Sequence, residues 1–304
     1  MISQILSLAF LAQTVRITVP YALASLGGVY SERGGVTNIA LEGIMLNGAF
    51  SATVGTYYTG SPLFGIACGL AGGLLTSLLH AIISINIKAD QIISGVAINL
   101  FAVGITKFVL QIIFHSSSNS DRIAGLPVIS LPFGSASPEI SGLFGNPLVI
   151  FTILAVIASH FIIFRSRFGL RLRSVGENPE AADTVGISVP RYRYYGVMIS
   201  GLLAGLSGAW LAFDQRSFTD GMSAGRGFIA LAAMIVGKWN PLGAAAACLL
   251  FGFAESLQIQ LQGAGLPTQF IQMIPYVATI VVLAGFIGKA VAPAADGIPY
   301  EKEK

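Results

Sequence analysis

The sequence predicts an all-α polytopic membrane protein, and three observations carry that expectation. Only 10% of its 304 residues are charged and 54% are hydrophobic, whereas a soluble domain carries about 25% charged residues. Mean hydropathy is +0.76, and the apolar residues gather into runs long enough for spanning helices, which need about 20 in a row. The 36 glycines suit helices that approach closely inside lipid.

Apolar runs fall at 5–30, 36–57, 62–86, 91–114, 147–165, 194–213, 226–238, 243–262 and 269–289. They predict a single membrane domain over 1–304 with about eight or nine transmembrane helices. The first run lacks both the basic start and the cleavage site of a removable signal, so it is expected to stay in the membrane. The run at 226–238 is too short for a full crossing at about 1.5 Å per residue. It reads as a half-helix or re-entrant piece closed by "KWNPLG". Non-helical backbone at that depth must be buried in protein or line a cavity. The connection 115–146, rich in Ser, Gly and Pro, reads as an ordered external loop or short re-entrant structure.

Lysine and arginine collect in cytoplasmic loops. The stretch with Arg165, Arg167, Arg171, Arg173, Arg191 and Arg193 is therefore expected inside, together with Arg33, Lys88, Lys289 and the tail "GIPYEKEK". An odd number of crossings then places the N-terminus outside. A net charge of +3 is too small to imply nucleic acid. The phosphate-binding pattern G-x-x-x-x-G-K-[ST] is absent. Cys68 and Cys248 lie in separate apolar runs and read as packed free thiols. No Cys/His spacing marks a metal, and His80, His115 and His160 are scattered. No catalytic residue, metal or cofactor is expected in this chain.

"GVTNIALEGIMLNG" at 35–48 is echoed by "GRGFIALAAMIVG" at 225–237, running the opposite way through the membrane. Inverted repeats place substrate at their interface in many transporters. A chance match among apolar residues explains the echo equally well.

A capped polar segment interrupts the cytoplasmic loop 166–193. Asn178 can cap a helix, Pro179 suits its first position, and Glu180 and Asp183 favour its positive end. Ala181 and Ala182 are good helix formers, and Gly186 can stop the helix in a left-handed turn. A rigid helix of about two turns follows, and its small central residues suit a partner's groove. Gly176, Glu177, Asn178, Pro179, Glu180, Ala181, Ala182, Asp183 and Gly186 are the candidate coupling residues.

The stretch "GENPEAADTVGISVPRYRYYGVMISGLLAGLSGAWLA" resembles the cytoplasmic loop and following helix of ABC importer permeases of the ribose and branched-chain amino acid type. "VPYALASLGGVYSERGGVTNIALEGIMLNGAF" and the tail resemble the shorter permease of nucleoside uptake systems fed by basic-membrane-protein-type lipoproteins. The resemblance covers nearly the whole chain, which seen against ribose permeases lacks a leading helix. It implies a type II-like permease fold in the bacterial inner membrane. It also implies a second, longer permease, an ATPase subunit that carries ATP and Mg, and an extracytoplasmic substrate-binding lipoprotein.

Candidate path residues come from helical spacing. Asn38 and Glu42 are four apart, with Met45 next along the same face. Gln91, Asn99 and Thr106 share an arc of the fourth run, and Gln272, Tyr276 and Thr279 align in the last. Polar groups at such depth face protein or water, and interhelical hydrogen bonding is the bland alternative for each amide. Glu42 can also be a plain helix-terminal acid. Arg16 and Lys107 read as snorkelling or paired at a subunit interface, and "RYRYY" at 191–195 as an aromatic belt with basic anchors. Glu255, Gln258 and Gln262 read as an interface stripe. Amides, hydroxyls and one acid without a basic cluster fit a neutral polar solute: a nucleoside first, then a simple sugar or riboflavin. An ion-coupled secondary transporter is the rival, but only Glu42 offers it an ion site.

Overall fold

The computed structural model describes residues 7–127, 143–262, 267–285 and 290–302. Its helices are α1 (Leu8–Arg33), α2 (Leu41–Thr59), α3 (Pro62–Ala81), α4 (Gln91–Phe114) and α5 (Pro147–Arg165). Two short helices, α6 (Arg167–Glu177) and α7 (Pro179–Thr184), lead into the long α8 (Val189–Gln215). The order ends with α9 (Arg226–Val236), α10 (Pro241–Leu261), α11 (Thr268–Gln272) and α12 (Ile274–Gly285). Many starts are encoded locally. Ser61, Asp90, Asn146, Ser166, Asn178 and Asn240 each accept a first-turn amide on a side-chain oxygen, and proline opens α3, α5, α7 and α10.

Ion pairs sort the helix ends onto two faces. On the basic face Arg33 meets Glu177, Lys88 meets Glu301 and Lys302 meets Asp183. On the far face Arg16 pairs with Asp214 and Lys107 with Asp220. These two cations therefore pair within the chain, at the outer end of α8 and just beyond it. Residues 115–127 lie on that face too, with a bridge between Asn119 and Thr219.

Among the described residues, five stretches are long and apolar enough to cross a membrane: Pro62–Asn86, Gln91–Phe114, Pro147–Arg165, Val189–Gln215 and Pro241–Leu261. The most apolar stretch of α8 is 78% buried by protein, against 28% for α4. Central and peripheral helices thus solve different problems. In α1 every residue from 18 to 32 is buried, and serine, threonine and glycine are tolerated because protein surrounds them. On α4 and α5, Leu100, Phe101, Phe108, Leu154 and Phe161 point outward, as lipid-facing or partner-facing side chains do.

Glycines bring α2, α3 and α8 together. A Cβ on Gly48 would lie 2.4 Å from Gly205 O, one on Gly73 2.3 Å from Gly201 O, and one on Gly208 1.8 Å from Met45 O. Such approaches exclude any side chain, and dispersion between backbones drives the packing.

The chain departs from plain spanning helices at three places. The run at 226–238 is a half-helix: α9 has 11 residues, preceded by the non-helical stretch 216–225 and opened by Gly225 at φ +83°. The run at 36–57 becomes helical only at Leu41. Gly35 turns the chain at φ +81°, and Ser31 Oγ donates to Val36 O at 2.6 Å, so residues 34–40 form an elbow. The last run breaks at Met273 into α11 and α12. Pro275, which lacks an N–H for the helical ladder, follows two residues later.

Overpacking a tight crossing costs about 1–3 kcal/mol. Gly208→Ala is expected to destabilise the detergent-solubilised protein by that amount, read as a lower thermal midpoint. Gly104→Ala, where a new Cβ meets nothing within 4 Å, should leave it unchanged.

Candidate functional site

Polar side chains concentrate around α7 on the basic face and at the membrane-depth junction of α2 with α9. Around α7, Asn178 ends α6 and caps α7, its Oδ1 accepting from the Ala181 amide at 3.0 Å. The stop is complete as well: Gly186 N donates to Asp183 O (2.9 Å) and Ile187 N to Ala182 O (3.0 Å), with Gly186 at φ +81°. These are the two bonds of a Schellman motif, and Ile187 packs on Ala182 as the motif requires. Six helical residues are thus held rigid at both ends. Glu180, Ala181, Thr184 and Val185 face outward, Val185 at 74% exposure. Ala182 faces inward, in a cluster with Val175, Val189 and Tyr300.

Asp183 belongs to the inside of this arrangement. Lys302 Nζ lies 3.0 Å from its Oδ2, and this bond, more than any other influence, holds the carboxyl below the usual carboxylate range. Glu177 accepts from the Ala294 amide at 3.3 Å and faces Arg33. Gly176 is needed for close approach: a Cβ there would lie 2.3 Å from Arg33 O.

At membrane depth the elbow would leave backbone groups open, and side chains close them. His80 Nε2 lies 3.0 Å from Thr37 O. Gln91 Oε1 accepts from the Thr37 amide at 2.8 Å. Asn99 accepts from the Gly43 amide at 2.8 Å and donates to Ile39 O at 2.9 Å. Asn38 Nδ2 donates to Ser200 Oγ at 2.9 Å. Glu42 reaches across to the half-helix, its two oxygens accepting from the Gly225 (2.8 Å) and Gly227 (2.7 Å) amides. A carboxylate there meets the positive end of α9. Arg226, the first residue of α9, pairs with Glu255 at 3.0 Å, and Tyr21 donates to the same carboxylate. A cavity of about 690 Å³ opens toward the far face, lined by Gln13, Arg16, Asn146, Trp210, Asp214 and Arg226 among others.

Residues 10–284 match the family described as "Branched-chain amino acid transport system / permease component". The chain belongs to this permease family. It is 44% identical to the nucleoside ABC transporter permease protein NupC of Lactococcus lactis subsp. cremoris (strain MG1363), over 94% of this chain and 95% of that one. It is 43% identical to the guanosine ABC transporter permease protein NupQ of Bacillus subtilis (strain 168), over 100% and 99%. The Lactococcus strain also carries the nucleoside ABC transporter permease protein NupB, 22% identical, with 98% of this chain matching 85% of a longer protein. Among solved structures, an ABC transporter described as of metal-chelate type, in an inward-facing conformation, shares the fold. Its TM-score is 0.50 at 16% identity, over 90% of this chain and 84% of that one.

In this permease the sequence-derived path residues separate. Gln91 and Asn99 bind backbone at the elbow and the start of α2, Glu42 binds backbone at the start of α9, and Asn38 in the elbow donates to Ser200 on α8. Asn38 lies before α2, so it and Glu42 do not share a helical face. Met45 is fully buried in the core. Gln272 is exposed on α11, and the side chains of Tyr276 and Thr279 lie outside the described residues. Gly176, Ala182 and Asp183 face their own chain, whereas Glu180 and Ala181 face outward. "RYRYY" lies inside α8, and only part of it is a belt. Arg193 is 1% exposed and donates to Ile298 O at 2.9 Å. Sequence reasoning missed that tail contact, and no local pattern announces it.

A glutamine at position 42 would turn an acceptor into a donor facing an N–H group. A hydrogen bond to a charged group contributes about 1.5–3 kcal/mol, so Glu42→Gln is expected to lower the thermal midpoint by a corresponding amount.

Burial beside Glu32, Thr37 and Arg193 pushes the Asp296 carboxyl up from 3.8 to about 6. Ionisation then opposes docking of the tail. The contribution of Asp296 to docking is fully present below about pH 4 and is lost as pH rises through about 6. Exchange of the Ala295 amide, corrected for its intrinsic rate, should show that trend, and Asp296→Asn should flatten it.

Proposed function

We propose that this chain is the shorter permease of a bacterial inner-membrane ABC importer of nucleosides. The full-length likeness to a nucleoside and a guanosine permease carries the reading. The second permease is a longer homologue, as NupB is beside NupC in one organism. ATP and Mg belong to a separate ATPase subunit, and an extracytoplasmic lipoprotein delivers the solute. The outward face of α7 (Glu180, Ala181, Thr184 and Val185) is the surface offered to the ATPase. A rigid, doubly capped helix transmits a push that a flexible loop would absorb.

Asn38, Glu42, Gln91, Asn99 and Met45 shape the path by holding the elbow and the half-helix in place. Gln272, exposed on α11, is the solute-facing member, and Tyr276 stays a candidate from the sequence. Amides among the path residues suit nucleosides because an amide both donates to and accepts from a ribose hydroxyl or a base edge.

The test is uptake by the purified complex of both permeases, ATPase and lipoprotein in lipid vesicles. Labelled guanosine and other nucleosides are expected to enter when ATP is supplied, and excess glucose, ribose or riboflavin should not compete. Uptake of a sugar or riboflavin in place of nucleosides would overturn the substrate assignment. Glu180→Arg is expected to weaken ATPase association by about tenfold, a loss of about 1.4 kcal/mol. Co-purification of the ATPase with the two permeases measures it.

A further inference from the structure

Residues 290–302 fold back across the basic face, although chain termini usually fray unless tied down. This segment is tied at both ends and in the middle. Near its start, Ala295 N donates to Gly176 O at 2.8 Å, and Ala294 N reaches Glu177. Ala295 and Pro293 are buried. Ala295 O lies 3.3 Å from where a Cβ on Gly35 would stand. Asp296 takes a hydrogen bond from Thr37 and faces Arg193. Gly297 lies so close to the elbow that a Cβ there would stand 3.1 Å from Thr37 Oγ1. Further along, Ile298 O accepts from the buried Arg193. Near its end, Tyr300 packs in the cluster of Ala182, Val175 and Val189 and lies beside Asp183. Lys302 pairs with Asp183, and Glu301 pairs with Lys88 between α3 and α4 at 2.7 Å.

One end of the segment therefore grips α7 and the other grips the elbow. The elbow leads directly into Glu42, which holds the start of the half-helix. α7 itself makes few contacts with the spanning helices, so the tail supplies much of what fixes its inner face. Glu301 and Lys302 reach their partners from exposed positions, where ion pairs contribute little. The burial of Ala295, the bond of Ile298 O to the buried Arg193 and the packing of the half-buried Tyr300 carry the attachment.

We propose that the C-terminal segment 293–302 is a strap that positions α7 on the elbow and transmits its movement to the broken crossing, with Tyr300 as its principal positioning residue. The proposal rests on the reading of α7 as the ATPase-docking helix. Movement of α7 would otherwise reach the interior only through α6 and α8. The strap adds a link from Ala182 and Asp183 to Gly35 and Thr37 that passes through neither.

The reconstituted complex tests it through the solute moved per ATP hydrolysed, a ratio that loss of protein alone does not change. Tyr300→Ala is expected to lower that ratio at least about fivefold, the low end of coupling between two sites. The ATPase should still co-purify at normal stoichiometry. Tyr300→Phe keeps the packing and should restore most of the ratio. If Tyr300→Ala fails to assemble, the double variant Lys88→Ala/Lys302→Ala, confined to exposed side chains, is expected to lower the ratio by a smaller factor. An unchanged ratio in every tail variant that assembles would overturn the strap. Glu180→Arg in the same assay separates the two readings. Lost ATPase binding there, with normal ratios in the tail variants, removes the strap alone. Normal binding and uptake in Glu180→Arg remove the docking reading and the strap with it.

Discussion

One carboxylate joins the elbow before α2 to the start of the half-helix α9. Glu42 opens α2 just after the elbow, and both of its oxygens bind amides at the start of α9. Backbone polar groups at membrane depth have no water to satisfy them. A protein that breaks its helices there must close each opened group with its own atoms. That requirement accounts for the polar residues of this interior better than periodicity does. His80, Gln91 and Asn99 converge on the elbow because its amides and carbonyls are open, and Glu42 serves the half-helix for the same reason. The echo between 35–48 and 225–237 takes on physical content here. Each stretch begins at a glycine in the left-handed region, Gly35 or Gly225, and the two meet where Gly227 packs against Glu42.

A broken interior is tolerable only inside a firm frame. The frame is the glycine-mediated contact of α2, α3 and α8, where backbones approach too closely for any side chain. Ser200 on α8 then lies within reach of Asn38, and Ser207 donates to Pro20 O in α1 at 2.7 Å. Close packing and polar closure thus depend on each other. The peripheral helices need neither, which is why their composition is so much more apolar.

Local features were legible in the sequence, and long-range ones were not. The α7 helix could be read residue by residue, since a cap, a first-turn proline and a left-handed glycine act within a few positions of one another. The half-helix was legible because length alone excludes a full crossing. The start of α2 was not, because residues 36–40 are buried or half-buried and their hydrophobicity has no period to mark a helix end. Asn38 was therefore placed on a helical face that does not exist there. Asp183 looked like an exposed acid because its partner, Lys302, lies 119 residues away. Arg193 looked like a membrane anchor for the same reason: its acceptor, Ile298 O, belongs to the tail. Chemistry near in sequence announces itself, while chemistry brought together by the fold requires the fold.

The occupancy of the interior acids also bears on what drives transport. An ion-coupled carrier needs a carboxylate that can bind and release its ion within the membrane. Glu42 has one oxygen on each of two backbone amides, and releasing either would leave the start of α9 open. Glu255 is held by Arg226 and Tyr21, and Glu32 accepts from the Trp239 indole at 2.6 Å. Each of these three acids already has a structural partner, so a cycle of ion binding would have to dismantle the broken crossing at every turn. α7 and the tail lie on the basic face, and neither supplies a partner to Glu42 or Glu255. The arrangement favours a subunit moved from outside by a partner over one driven by an ion within.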